Sequence, residues 1–145
     1  MAAEYNRSGI RFLYPENWKI TEDHSDAQAR SVTVQAPCGA FWSVDLHLHT
    51  RQSRSLAAEV LQTMRQEYTD LEAEPISEQI GGVQAAGYDM QFYCMDLIIQ
   101  SRVLTMPTDA GMLVMLCQGE DRDFQQLEPV FRAISESMFR SGDIL

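Results

Sequence analysis

The stretch IGGVQAAGYDMQFYCMDLIIQSRVLTMPTDAGMLVMLCQ, from Ile80 to Gln118, reads as consecutive antiparallel strands, and the rest of the chain looks built to cover them. Gly81-Gly82 is a two-residue hairpin signal, because a type I′ turn needs positive φ at both central positions and glycine supplies that freely. Beyond it, Tyr88, Met90, Phe92 and Cys94 alternate with Asp89, Gln91, Tyr93 and Met95, a period of two. A second strand runs from Leu97 to Met106, rich in branched residues, and ends at Pro107. Pro107-Thr108-Asp109-Ala110-Gly111 is turn chemistry. Met112 to Cys117 (MLVMLC) then carries no polar residue on either side, so this strand is expected mid-sheet with something packed on each face.

Working outward toward the N-terminus, Ile10, Phe12 and Tyr14 form a short strand that stops at Pro15, and Trp18 anchors the next, Lys19 to Thr21. Ser31 to Ala36 and Phe41 to Thr50 follow. In the last of these Trp42, Val44, Leu46 and Leu48 form one face, with Ser43, Asp45, His47 and His49 on the other. From Ser55, a plausible N-cap, the period changes. Leu56, Val60, Leu61, Met64, Tyr68 and Leu71 fall at helical spacing, and Pro75 is expected to mark the stop. Ile76 to Ile80 pairs into the meander across the glycines. Toward the C-terminus a final helix is expected over about Asp123 to Phe139, with an irregular lead-in from Phe124 to Glu128 because Pro129 removes a donor.

The predicted fold class is therefore α+β: an antiparallel β-sheet of about six to seven strands with helices on both faces, an α/β/α sandwich. With 145 residues the chain is one domain, 1–145, with a core over about 8–140 and flexible ends at 1–7 and 141–145.

The formal net charge is −10, and Lys19 is the single lysine. A chain this acidic lacks the positive field that nucleic acid or an anionic membrane requires. No apolar run approaches the roughly 20 residues that cross a bilayer, so no membrane insertion is expected. The first residues, MAAEYNRSG, show neither a basic region nor an apolar core, so no signal peptide is visible and a cytoplasmic location is expected. Cys38, Cys94 and Cys117 form no C-x-x-C pair, which fits a reduced compartment.

Tyr14-Pro15-Glu16-Asn17-Trp18 after a short strand resembles the Y-P-x-x-W opening of the superfamily of PsbP-like and Mog-like domains. The helix after the fourth strand, the Gly-Gly hairpin, the apolar meander and a last helix ending near Ser137-Met138-Phe139 match that layout over nearly the whole chain. The resemblance implies an α/β/α sandwich and a binding role. Members include a photosystem II extrinsic subunit, a Ran-GTPase release factor and bacterial chaperones of type VI secretion effectors.

Two constellations carry candidate chemistry. Asp45-x-His47-x-His49 places three metal-ligating side chains on one strand face, about 7 Å apart, as a divalent metal site would need. Asp89, Glu67 and His24 are the candidates for a fourth ligand, and the chemistry would be hydrolysis by an activated water. The plainer reading is the polar face of an amphipathic strand. Met90, Phe92, Met95, Met106, Met112 and Met115 concentrate soft apolar side chains in the meander; they are read either as a partner-binding groove or as core filler. A Cys94 or Cys117 thiolate beside His47 or His49 is a third, weaker possibility. Arg102 is expected to pair with Asp89 or Asp45. The function read from the residues is a non-enzymatic protein-binding, chaperone-like or adaptor module with no cofactor, acting on a protein partner or as a homodimer. The alternative is a metal-dependent hydrolase centred on Asp45, His47 and His49.

Overall fold

The computed structural model describes residues 1–7, 9–23, 29–48 and 53–140. The elements in chain order are β1 (Ala2–Arg7), β2 (Ile10–Pro15), β3 (Lys19–Asp23), β4 (Ala29–Gln35), β5 (Phe41–Leu48), α1 (Ser53–Glu67), β6 (Glu72–Ile80), β7 (Val83–Cys94), β8 (Leu97–Pro107), β9 (Gly111–Glu120) and α2 (Asp121–Arg140). Seven strands form one antiparallel sheet in the order β3-β4-β5-β9-β8-β7-β6, and β1-β2 forms a separate two-stranded ribbon. Strand β9, which carries the apolar run Met112 to Cys117, is central, between β5 and β8, as a run without polar residues demands.

Alternation along β9 shows how the core divides. Leu113, Met115 and Cys117 pack with Trp42, Leu104 and the α2 residues Phe124, Phe131 and Ile134. Val114 packs with Val103, Met90 and Leu61 of α1, and Leu116 packs against the same group. Around α2 the aromatic rings interlock: Phe12 lies 4.8 Å from Trp42 and 5.2 Å from Tyr5, and Trp18 meets Phe131 edge-on at 6.0 Å. The indole N–H of the buried Trp42 donates to Ser135 Oγ at 2.9 Å, so burial leaves no unmet donor.

Both glycines of the first hairpin have positive φ, +58° at Gly81 and +82° at Gly82. A Cβ on Gly81 would lie 2.4 Å from that of Phe139, so glycine serves both the turn and the close approach of α2. Gly87 has a different constraint: a Cβ there would come 1.8 Å from the Val103 carbonyl oxygen on the next strand.

Several boundaries differ from the sequence reading. Residues 2–7, expected outside the core, form β1, whose Tyr5 is buried on Phe12. The helical face extrapolated to Leu71 overshoots, since α1 ends at Glu67; Pro75 is not a helix stop but lies inside β6. As an edge strand, β6 has one side without a ladder to donate to, so it tolerates a proline, which with Glu72, Glu74 and Glu78 discourages further pairing. The irregular lead-in before Pro129 is absent. Helix α2 is regular from Asp121, and Pro129 deprives the Gln125 carbonyl of its helical donor without ending the helix. Residues 141–145 lie outside the described residues.

Candidate functional site

Strand β5 has the predicted alternation: Trp42, Val44 and Leu46 are buried, and Ser43, Asp45 and His47 are half-exposed on the other face. Helix α1 packs on β7, β8 and β9, and the apolar cluster beneath it includes no residue of β4 or β5. Asp45 and His47 thus belong to the part of that face left to polar side chains. Ser31 and Val114 flank Asp45, and Ala29 and Met112 flank His47. His49 and His24 lie outside the described residues. Asp89 does not join the set: it is on β7, three strands from β5, roughly 14 Å across the sheet. It also occupies the other face, where it pairs with Arg102. Among the described residues no three His, Cys, Asp or Glu side chains come together as a metal would need.

The cysteines are likewise apart from His47. Cys117 faces α2 while His47 faces the opposite way, and Cys94 ends β7. Burial pushes the Cys117 thiol up to about 12, against the lowering influence of nearby Arg102. It is a protonated core residue, not a nucleophile.

The six meander residues proposed as one surface do not form one. Met90, Phe92, Met106, Met112 and Met115 are all buried, and they divide between the two sides of the sheet. Alternation of a buried strand places them so, which corrects the groove reading for these five. Met95 alone is exposed, at 91%.

Arg102 resolves as structural. Its guanidinium donates to both carboxylate oxygens of Asp89, at 2.7 and 3.4 Å, and to Glu128 at 3.2 Å, and it lies 5.6 Å from the centroid of the Phe124 ring. Burial disfavours its charge, but Asp89, with help from Cys117 and Glu128, outweighs this and raises its pKa. The open cleft beside it, about 490 Å³, is polar, with Glu72, Glu74, Gln100 and Gln125 around the satisfied arginine.

The concave apolar surface is elsewhere, and sequence reasoning missed it. Between β2 and the middle of α2 runs a groove of about 710 Å³, lined by Leu13, Tyr14, Pro129, Val130, Ala133 and Ile134. Its geometry follows from one hydrogen bond: the outward backbone N–H of Leu13 donates to Ser137 Oγ at 2.8 Å, which holds the ribbon edge against the helix. Ser137 also donates to the Ile134 carbonyl. Leu13 is 39% exposed, and Pro129 and Ala133 are exposed on the helix surface above it. The one signal in the sequence was the uninterrupted apolar pair Leu13-Tyr14, since strand alternation sends one of two adjacent apolar residues away from the core.

No family model matches the sequence, and no curated protein sequence matches it. Solved structures do. Cyanobacterial PsbP (CyanoP) from Synechocystis sp. PCC 6803 superposes with a TM-score of 0.64 at 10% identity, covering 94% of this chain and 90% of that one. PA94, a Pseudomonas aeruginosa protein of unknown function, gives a TM-score of 0.55 at 12% identity, over 94% of both chains. At such identities the likeness shows the fold alone, and the fold is PsbP-like. No described helix is long and apolar enough to cross a membrane.

Proposed function

We propose that this chain is a non-enzymatic protein-binding module, an adaptor or chaperone-like domain, that takes an apolar segment of a partner protein into the groove between β2 and α2. The observation that carries the reading is the groove itself: about 710 Å³, lined chiefly by apolar side chains and open to solvent along a helix. Exposed apolar surface that a folding chain has not covered marks interaction sites, and an open trough beside a helix suits the side chains of a polypeptide. The opposite packing of alternate β9 residues supports a sandwich with one helix on each face, so α2 is free to line the groove with the edge it turns from the sheet. A cytoplasmic setting is part of the same proposal and follows from the sequence reading.

The experiment is selection from a displayed library of random short peptides on the immobilised protein. Enriched peptides should be rich in Leu, Ile, Phe or Trp. Their affinity should fall roughly tenfold or more on Ala133→Glu, which puts a charge into the groove from an exposed helix position. Peptides indifferent to Ala133→Glu, or no enrichment at all, would contradict the proposal.

A further inference from the structure

The β7–β8 hairpin outruns its neighbours. The first residue of β6, Glu72, pairs with Gln91, and the last residue of β9, Glu120, pairs with Ile99. From Phe92 to Ile98 the two strands therefore pair only with each other, and they project about 10 Å beyond the sheet. Asp96 apart, the exposed side chains of this finger are apolar: Tyr93 is 59% exposed on one face, Leu97 50% on the other, and Met95 91% at the tip.

Two features separate it from an incidental loop. The turn is a two-residue one with φ of +51° at Met95 and +67° at Asp96. Asparagine or glycine suits such positions; a methionine held left-handed is strained by roughly 1–2 kcal/mol. The base is braced as well: Phe92, 2% exposed, stacks on Tyr68 with ring centroids 4.1 Å apart. A strained turn thus presents a bare methionine on a rigid stalk.

Charge identifies what it fits. From Gln66 to Ser101 there is no lysine or arginine and there are seven aspartates and glutamates, so this segment carries −7 of the net −10. Asp96 is in the turn, and Glu72 and Glu120 bracket the base. We propose that the finger inserts Tyr93, Met95 and Leu97 into an apolar pocket on another protein whose rim carries lysine or arginine. A second copy of this acidic chain and an anionic bilayer are both disfavoured by the same charge. This surface is separate from the β2–α2 groove.

The test places the photo-crosslinking amino acid p-benzoylphenylalanine at position 95 of the full chain in its native cells, with position 109 in the β8–β9 turn as control. A protein captured from position 95 and not from 109 is then purified and titrated. The proposal expects it to bind the wild-type chain, with affinity falling roughly tenfold or more on Met95→Asp and weakening as salt rises. Asp96→Asn with Glu72→Gln should flatten that salt dependence. Ala133→Glu should leave it unchanged, which separates this result from failure of the groove reading. Four outcomes overturn the proposal: no product above the control, a crosslink only to a second copy, a captured protein indifferent to Met95→Asp, and tip-dependent binding to phosphatidylcholine vesicles in place of a protein.

Discussion

The two sides of the sheet are built very differently. On one face, among the described residues, 21 buried residues from β1 through α2 form one cluster, knit by six aromatic rings from Tyr5 to Phe131. On the other face the buried cluster is Leu61, Met90, Val103 and Val114 with half-buried neighbours, and Phe92, Ser101 and Met112 are buried outside it. Burial at about 25 cal/mol per Å² makes the first face the main store of stability. The difference teaches where interaction surface is affordable. The thick face still holds when α2 leaves Pro129, Ala133 and part of Val130 uncovered beside Leu13, and the β7–β8 finger projects where neither helix nor neighbouring strand covers it.

Substitutions can break this asymmetry in order of size. Trp42→Ala removes the most central ring of the thick face and the donor to Ser135. It should cost about 3–5 kcal/mol in urea unfolding, enough to threaten folding of a domain this size. Leu61→Ala on the thin face should cost about 2 kcal/mol, the low end for such a change, because its surroundings are half-solvated and can relax. Equal losses at the two sites would refute the comparison.

Alkali should weaken the fold, and first through the thick face. Because the folded Cys117 thiol is raised from 9.0 to about 12, the unfolded chain ionises first. The stability this group contributes is complete below pH 9 and declines as pH rises toward 12, by at most about 1.4 kcal/mol per pH unit. Raised values at Tyr5, through burial and Glu22, and at Tyr68, through burial and Glu67, act in the same direction at higher pH. Urea titrations at several pH values should show the decline, reduced in Cys117→Ala. At pH 8, iodoacetamide should modify the exposed Cys38 readily and leave Cys117 untouched until the chain unfolds.

The smallest effect sharpens the comparison in the opposite sense. Ser101 is 1% exposed beneath the thin face, and its hydroxyl has no partner among the described residues. Ser101→Ala should be neutral or stabilising by up to about 1 kcal/mol, as thermal unfolding would show. A clear loss of stability would mean that the hydroxyl is satisfied.

Much of the architecture was legible because it is periodic. Met112 to Cys117 announced a central strand, Gly81-Gly82 a hairpin, and Phe124, Phe131 and Ile134 a helix face. Elements whose cause is tertiary were not. Strand β1 has one large apolar residue, Tyr5, whose place depends on Phe12. Met95 lacks turn chemistry, and the chain turns there because the cross-strand pairs from Ala86–Thr105 to Cys94–Leu97 fix the register. Methionine content could not separate core from surface, because period two sends neighbours to opposite faces. The groove required the packing of β2 on α2, a contact between residues 124 positions apart.

The most direct measurement is a nuclear magnetic resonance titration of the isotopically labelled chain with a peptide from the library selection. Binding in the groove predicts amide shifts concentrated at Leu13, Tyr14, Val130, Ala133 and Ile134, with Met95 and Leu97 unmoved. Shifts centred on the finger or on Asp45 and His47, with the groove residues unmoved, would contradict it.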